Sequence, residues 1–361
     1  MLTAAHLVET TPGIIAESVV VHFETLEGTA SVTADDISVI PSYDPININN
    51  DLALIWLPER AAVKADRYEL HRPADEIGQT MSLVGYGITG SGSTGTYEQY
   101  AGVPLRIKAE NTADTDVGVL KSRLGGVMGW QPASGTQLVA DFDNGSSAQD
   151  ALGLLIQKTD PGLGATEGMI TPGDSGGPAF IDGRVAGIAS YTASLSTAAA
   201  HPDTDNVSNS SFGELGFWQR VSGYQQWIDQ SMRAHYPNAP DQPDTVQKVV
   251  TEGDAGTGYV YFLVQFHGER ATPDAVISVD FSTRNGTAVS GSDYIAMSGT
   301  LKLYPDEAQA VIPVEIIGDG VAEPTECFYL DVCNPVGGTF SGNVATLTAM
   351  RTILDNDGWI I

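Results

Sequence analysis

From Val246 to Asp357 the apolar positions recur at every second residue. Ile312, Val314 and Ile316 alternate with Val311, Pro313 and Glu315; Phe328, Leu330 and Val332 repeat the period, as do Leu301 and Leu303. Successive side chains of a strand point to opposite faces, so this spacing predicts strands with one buried side. Breaks such as Arg284-Asn285-Gly286 and Gly318-Asp319-Gly320 punctuate them, which predicts an antiparallel β-sandwich over 246–361. Upstream, residues 1–236 carry few helical patterns and many Gly, Ser and Thr residues, the texture of strands and turns. The exception lies between Val221 and Met232, where Val221, Tyr224, Trp227 and Ile228 fall on one face of a closing helix. Residues 237–245, dominated by Pro, Asn, Asp and Gln, read as a linker. The expectation is an all-β chain of two domains, which also suits a length of 361 residues.

Composition narrows the function classes. Hydrophobic residues make up 42% of the chain, enough for real cores, and 45 acids stand against 17 Lys and Arg for a net charge of -28. Such a surface repels nucleic acid and anionic membrane, so neither is an expected partner. No apolar run is long enough for a membrane span. Cys327 and Cys333, the only two cysteines, are six residues apart. On one strand they would stand about 20 Å apart, too far for a mutual disulfide. Met1-Leu2-Thr3-Ala4-Ala5-His6 lacks the basic start and apolar core of a signal peptide, so a leader is expected to be missing from this sequence.

Three short motifs carry candidate chemistry. They are Thr3-Ala4-Ala5-His6, Asp51-Leu52-Ala53-Leu54-Ile55-Trp56-Leu57 and Gly173-Asp174-Ser175-Gly176-Gly177-Pro178. A hydroxyl is a poor nucleophile at neutral pH, so Ser175 needs a base. His6 can take its proton and return it to a leaving amine, while Asp51 holds the imidazole tautomer. The N–H groups of Gly173 and Ser175 can converge on a developing oxyanion, in a tight turn that side chains would obstruct.

With these motifs in the order His-Asp-Ser, residues 1 to about 232 resemble the chymotrypsin/trypsin family of serine peptidases. Gly216-Phe217-Trp218-Gln219-Arg220-Val221 and the helix after it are similar to that family's last strand and helix. The resemblance implies a two-barrel peptidase domain over 1–236, with no cofactor for the chemistry and a protein or peptide substrate. It also implies a substrate pocket with Met169 at its base, Ser190, Tyr191 and Thr192 along one wall, and Gly216 opposite. An uncharged Met169 and a narrowed entrance at Thr192 imply cleavage after small or medium apolar residues. Leu7 stands where animal relatives have a half-cystine, so this resembles a disulfide-free, bacterial version. Relatives carry several strands before the His motif, so the first barrel is expected to be incomplete. The missing part would include the amine that pairs with the acid matching Asp174, leaving that carboxylate unpaired and activity low.

The downstream segment is itself acidic: residues 246–357 contain 15 acids and 5 Lys and Arg, a local net of -10. Val250-Thr251-Glu252-Gly253-Asp254, Asn285-Gly286-Thr287-Ala288, Gly291-Ser292-Asp293-Tyr294, Glu323-Pro324-Thr325-Glu326 and Ile353-Leu354-Asp355-Asn356-Asp357 resemble a Calx-beta domain. The resemblance implies an immunoglobulin-like sandwich over 246–361 that binds structural Ca2+ at one end. The ligand candidates are Glu252, Asp293, Asp319, Glu323, Glu326, Asp355 and Asp357. Gly318 replaces one acid of the tight calcium sensors. Asp355 and Asp357, two apart on an extended strand end, would point the same way.

The reading is therefore an exported serine endopeptidase, secreted or at the cell surface, with a calcium-stabilised sandwich that can contact matrix or cell surface. Its rival is a catalytically inactive, calcium-dependent extracellular adhesion protein.

Overall fold

The computed structural model describes residues 1–25, 28–58, 65–96 and 105–357. The chain divides into two compact units, Met1–Ile228 and Asp229–Ile361, and β-strands dominate both.

The first unit opens with β1 (Leu2–Thr3), a hairpin of β2 (Glu9–Thr11) and β3 (Ile14–Ile15), and a second hairpin of β4 (Val20–Thr25) and β5 (Gly28–Thr33). Next come β6 (Asp36–Val39) and β7 (Ala53–Trp56), which join β1 in a three-stranded sheet of order β1-β7-β6. The register Leu2↔Leu54 and Thr3↔Ala53 brings the chain start against the strand that follows Asp51. Leu52, Ala53 and Leu54 are buried, as a continuous apolar run requires.

Then follow β8 (Thr80–Gly85), a short hairpin of β9 (Gly90–Ser91) and β10 (Gly95–Thr96), β11 (Ile107–Thr112), β12 (Thr115–Asp116), α1 (Val117–Leu124), β13 (Gln137–Asp141), α2 (Ala151–Ile156), β14 (Pro178–Ile181), β15 (Arg184–Ala193), β16 (Leu215–Arg220) and α3 (Gln225–Ala234), which begins in this unit and runs past Ile228. One seven-stranded sheet runs in the order β11-β8-β14-β15-β16-β13-β12. Every residue of β13 is buried, so both sheet faces are covered there. Asp116 caps α1 by accepting the N–H of Gly118 at 2.7 Å. The helical face expected near the end of this unit is present: Val221, Tyr224 and Ile228 are buried together with Ile40 and Leu52, and Trp227 packs against them.

The second unit contains β17 (Val249–Thr251), β18 (Gly256–Gln265), β19 (Ile277–Asn285), β20 (Ser298–Leu303), β21 (Gln309–Gly318), β22 (Glu326–Val336) and β23 (Thr346–Leu354). A five-stranded sheet of order β17-β23-β22-β19-β20 faces the β18-β21 pair. The period-two positions fill the space between them: Ile312, Val314 and Ile316 of β21 share one core with Phe328, Leu330 and Val332 of β22 and with Leu301 and Leu303 of β20. Tyr294 stacks on Phe328 with ring centroids 4.5 Å apart. Cys327 and Cys333 are both free.

Candidate functional site

Asp51 is the anchor of the first site. Its side chain is fully buried, Oδ1 accepts the backbone N–H of His6 at 2.8 Å, and Oδ2 lies 2.7 Å from His6 Nδ1. The short 3-10 turn Ala5–Leu7 directly after β1 swings the imidazole to that carboxylate. With Nδ1 committed to Asp51, Nε2 is left to face a proton donor. Ser190, on β15, donates its hydroxyl to the same Oδ2 at 2.5 Å. A buried charge is tolerable only when hydrogen-bonded in this way.

Ser175 sits on the turn before β14. Gly176 N–H donates to Ala189 O at 2.8 Å, and Ala189 N–H donates to Gly177 O at 2.9 Å, one residue from Ser190. A Cβ on Gly176 would fall 2.2 Å from Thr3 Oγ1 and 2.6 Å from Leu7 Cδ1. The Ser175 turn therefore packs directly on the residues flanking His6. Among the described residues no hydrogen bond joins Ser175 Oγ to His6. Such bonds are often long in ligand-free sites and tighten with substrate.

The carboxylate of Asp174 corrects one expectation. It is not unpaired: Oδ1 accepts Gly87 N–H at 2.8 Å, and Oδ2 accepts Thr171 N–H at 2.8 Å and the Thr171 hydroxyl at 3.1 Å. Donors from within the chain take the place that the sequence reading gave to an incoming amine. On either side, Gly173 has φ +100°, which only glycine adopts without strain. Among the described residues, neither Gly173 N–H nor Ser175 N–H has an acceptor in the chain.

The expected pocket residues take different positions. Met169 lines a cavity of about 450 Å³ together with Ile170, Gly177 and Ala189, and its Sδ would be 2.6 Å from a Cβ on Gly216. Ser190 is turned to Asp51. The Tyr191 ring stacks on Phe217 at 4.3 Å, with its hydroxyl donating to Gln137 at 2.8 Å. Thr192 lies opposite Gly216 in the β15–β16 register. Ser190, placed from the sequence on the pocket wall, thus also holds Asp51 through its hydroxyl; a serine inside an apolar strand needs a polar partner, and that was the available signal.

In the second unit the seven acids named from the sequence gather at the strand ends. Glu252 and Asp293 are each only 8% exposed, and Asp293, Glu323 and Glu326 offer oxygens within 4.8 Å of one another. Burial, a hydrogen bond with Asp293 and the charges of Asp293, Glu323 and Glu252 push Glu326 up to about 7. Burial also raises Glu252, aided by the charges of Asp319, Glu323 and Asp355. Asp355 Oδ2 accepts Glu323 N–H at 2.8 Å. Asp355 Oδ1 accepts Asp357 N–H at 2.6 Å, so the chain turns there rather than running on extended as expected. Asp357 Oδ2 is buried without a partner among the described residues. Clustered carboxylate oxygens of this kind fit a hard divalent cation.

Comparison with known proteins agrees with this division. Residues 1–123, which include His6 and Asp51 but not Ser175, match the Trypsin family, and residues 246–357 match the Calx-beta domain. The chain is 36% identical over 80 residues to the sodium/calcium exchanger Calx of Drosophila melanogaster, covering 22% of this chain and 8% of that protein. It is 28% identical over 153 residues to sodium/calcium exchanger 2 of Mus musculus, covering 35% and 17%. The chain thus spans less than a fifth of the length of these relatives. A solved structure of neuropsin, a serine protease expressed in the limbic system of mouse brain, is similar over 64% of this chain and 83% of its own, with 18% identity and a TM-score of 0.44. The chain thus carries a trypsin-family domain, matched over residues 1–123, ahead of a Calx-beta domain, matched over residues 246–357.

Proposed function

We propose that the first unit is a serine endopeptidase that forms an acyl-enzyme on Ser175. Ser175 Oγ attacks the substrate carbonyl carbon while His6 Nε2 accepts its proton. The tetrahedral oxyanion is held by the N–H groups of Gly173 and Ser175. Collapse breaks the C–N bond, and the imidazolium returns the proton to the leaving amine. Water, deprotonated by His6, then attacks the ester carbon, and the C–O bond to Ser175 breaks as the imidazolium returns that proton to Oγ. Asp51 keeps the imidazole oriented throughout, and Ser190 supports Asp51.

The observation that carries this reading is the shared carboxylate: Asp51 accepts from His6 twice and from Ser190 once, and Ser190 adjoins the residue that pins the Ser175 turn. The thioether of Met169, packed on Gly216, favours small or medium apolar residues on the acyl side of the cut. The Calx-beta domain is proposed to bind calcium through Glu252, Asp293, Asp319, Glu323, Glu326, Asp355 and Asp357. It serves stability and contact outside the cell, where the whole protein is proposed to act.

The rival reading is a catalytically inactive, calcium-dependent adhesion protein. A fluorophosphonate probe separates the two. Covalent labelling of the full chain that disappears in Ser175→Ala is the result expected of the peptidase. No labelling of the folded parent chain would favour the inactive form.

A further inference from the structure

The first unit holds another acidic cluster, which the peptidase reading leaves unused. β13 ends at Asp141, and Asp143 and Asp150 follow on the segment that leads into α2. These three side chains are buried, with residue exposures of 1%, 3% and 5%, and each offers a carboxylate oxygen within 4.8 Å of the other two. Two of them are held in place by the backbone. Asp141 Oδ2 accepts Leu152 N–H at 2.7 Å, and Asp150 Oδ1 accepts Gly153 N–H at 2.6 Å. That leaves Asp141 Oδ1 buried with no geometric hydrogen bond among the described residues, beside the carboxyl of Asp114, which burial and the charge of Asp141 push up to about 9. Asp143 goes further: its carboxylate takes no hydrogen bond among the described residues, and its Oδ1 is sealed from solvent.

More negative charge surrounds this centre. Glu167 accepts the N–H of Asp143 at 2.6 Å and that of Leu163 at 2.5 Å. Burial, then the charges of Asp141, Glu167, Asp150 and Asp160, push Asp143 up to about 8. Buried carboxylates without a counter-charge are strongly unfavourable, and unpaired oxygens gathered in one cluster are satisfied by a positive centre.

We propose that Asp141, Asp143 and Asp150 bind a divalent cation of the calcium type. The donor set is all oxygen, which suits a hard ion rather than zinc or copper. Bound there, the ion ties the buried end of β13 to the segment that runs on through Glu167 to Met169. The assignment rests neither on the peptidase reading nor on the acids of the Calx-beta domain.

The test uses the full chain carrying Glu323→Gln and Glu326→Gln, which weakens the other acidic cluster, after stripping with chelator. Calorimetric titration with calcium chloride and thermal melting are the readouts. At calcium a hundredfold above Kd the melting temperature rises by about 5–10 °C. Adding Asp143→Asn removes one bound calcium per chain. In chelator that variant melts above its parent, because the cost of burying a carboxyl with no hydrogen-bond partner has gone; a residue of merely structural use would move the other way. Asp150→Asn is the second variant, and it also loses one calcium. The same calcium stoichiometry with and without these substitutions, or no response to calcium in the parent, overturns the assignment.

Discussion

Asp51 shows how much one buried carboxylate can organise. It takes three hydrogen bonds, two from His6 and one from Ser190. Asp51→Asn presents an amide donor to Nδ1 and reverses the tautomer, so kcat for a peptide substrate should drop by about 10⁴. Ser190→Ala removes one charge-assisted bond and leaves the imidazole bonded. kcat should fall by about tenfold with KM little changed, the scale expected for one hydrogen bond to a charged group. Steady-state kinetics on both variants checks the pair, and equal losses would argue that Ser190 does more than support Asp51. At this scale His6, Asp51 and Ser175 are legible in short motifs, because each chemical role demands one residue type. Ser190 was legible only as a wall residue, since its partner lies 139 positions away in the chain.

Among the elements, the turn between Gly173 and Pro178 is the most constrained. Gly176 has φ +76°, and a Cβ there would meet Thr3 and Leu7. A Cβ on Gly183, at φ +73°, would meet nothing within 4 Å among the described residues. Gly176→Ala should therefore cost the backbone strain of about 1–3 kcal/mol and a steric term besides, while Gly183→Ala costs the strain alone. Urea unfolding midpoints compare them, and Gly176→Ala should also lose activity by displacing the His6 turn. The strands of the Calx-beta domain were readable from their period of two, because one buried face imposes it. The short strands of the first unit, several of them two residues long, leave no period to read.

For the molecule as a whole, the net charge of -28 is not spread evenly in its consequences. Acids concentrated at one end of the Calx-beta domain repel one another once that domain folds. Glu326 rises from 4.5 to about 7 there. Because the folded pKa exceeds the unfolded one, the folded state holds the proton over that interval, and stability falls as pH rises from about 4.5 to 7. In chelator, the melting temperature should decline across this window. Saturating calcium should supply the missing positive charge, flatten the decline and raise the melting temperature at pH 7. Identical pH profiles with and without calcium would argue against an ion at these carboxylates.

The amino-acid order alone determined the β-rich composition, the sandwich texture of 246–357, the identities of the candidate nucleophile, base and orienting acid, and the list of acids at the sandwich end. Each of these depends on residue type and local spacing, which a linear chain displays. Folding alone decided that Thr171 and Gly87 satisfy Asp174, that Ser190 serves Asp51, and that Asp141, Asp143 and Asp150 converge with orphaned oxygens. Those are matters of which distant groups meet and which are cut off from water, and burial becomes defined only when the sheets close over them.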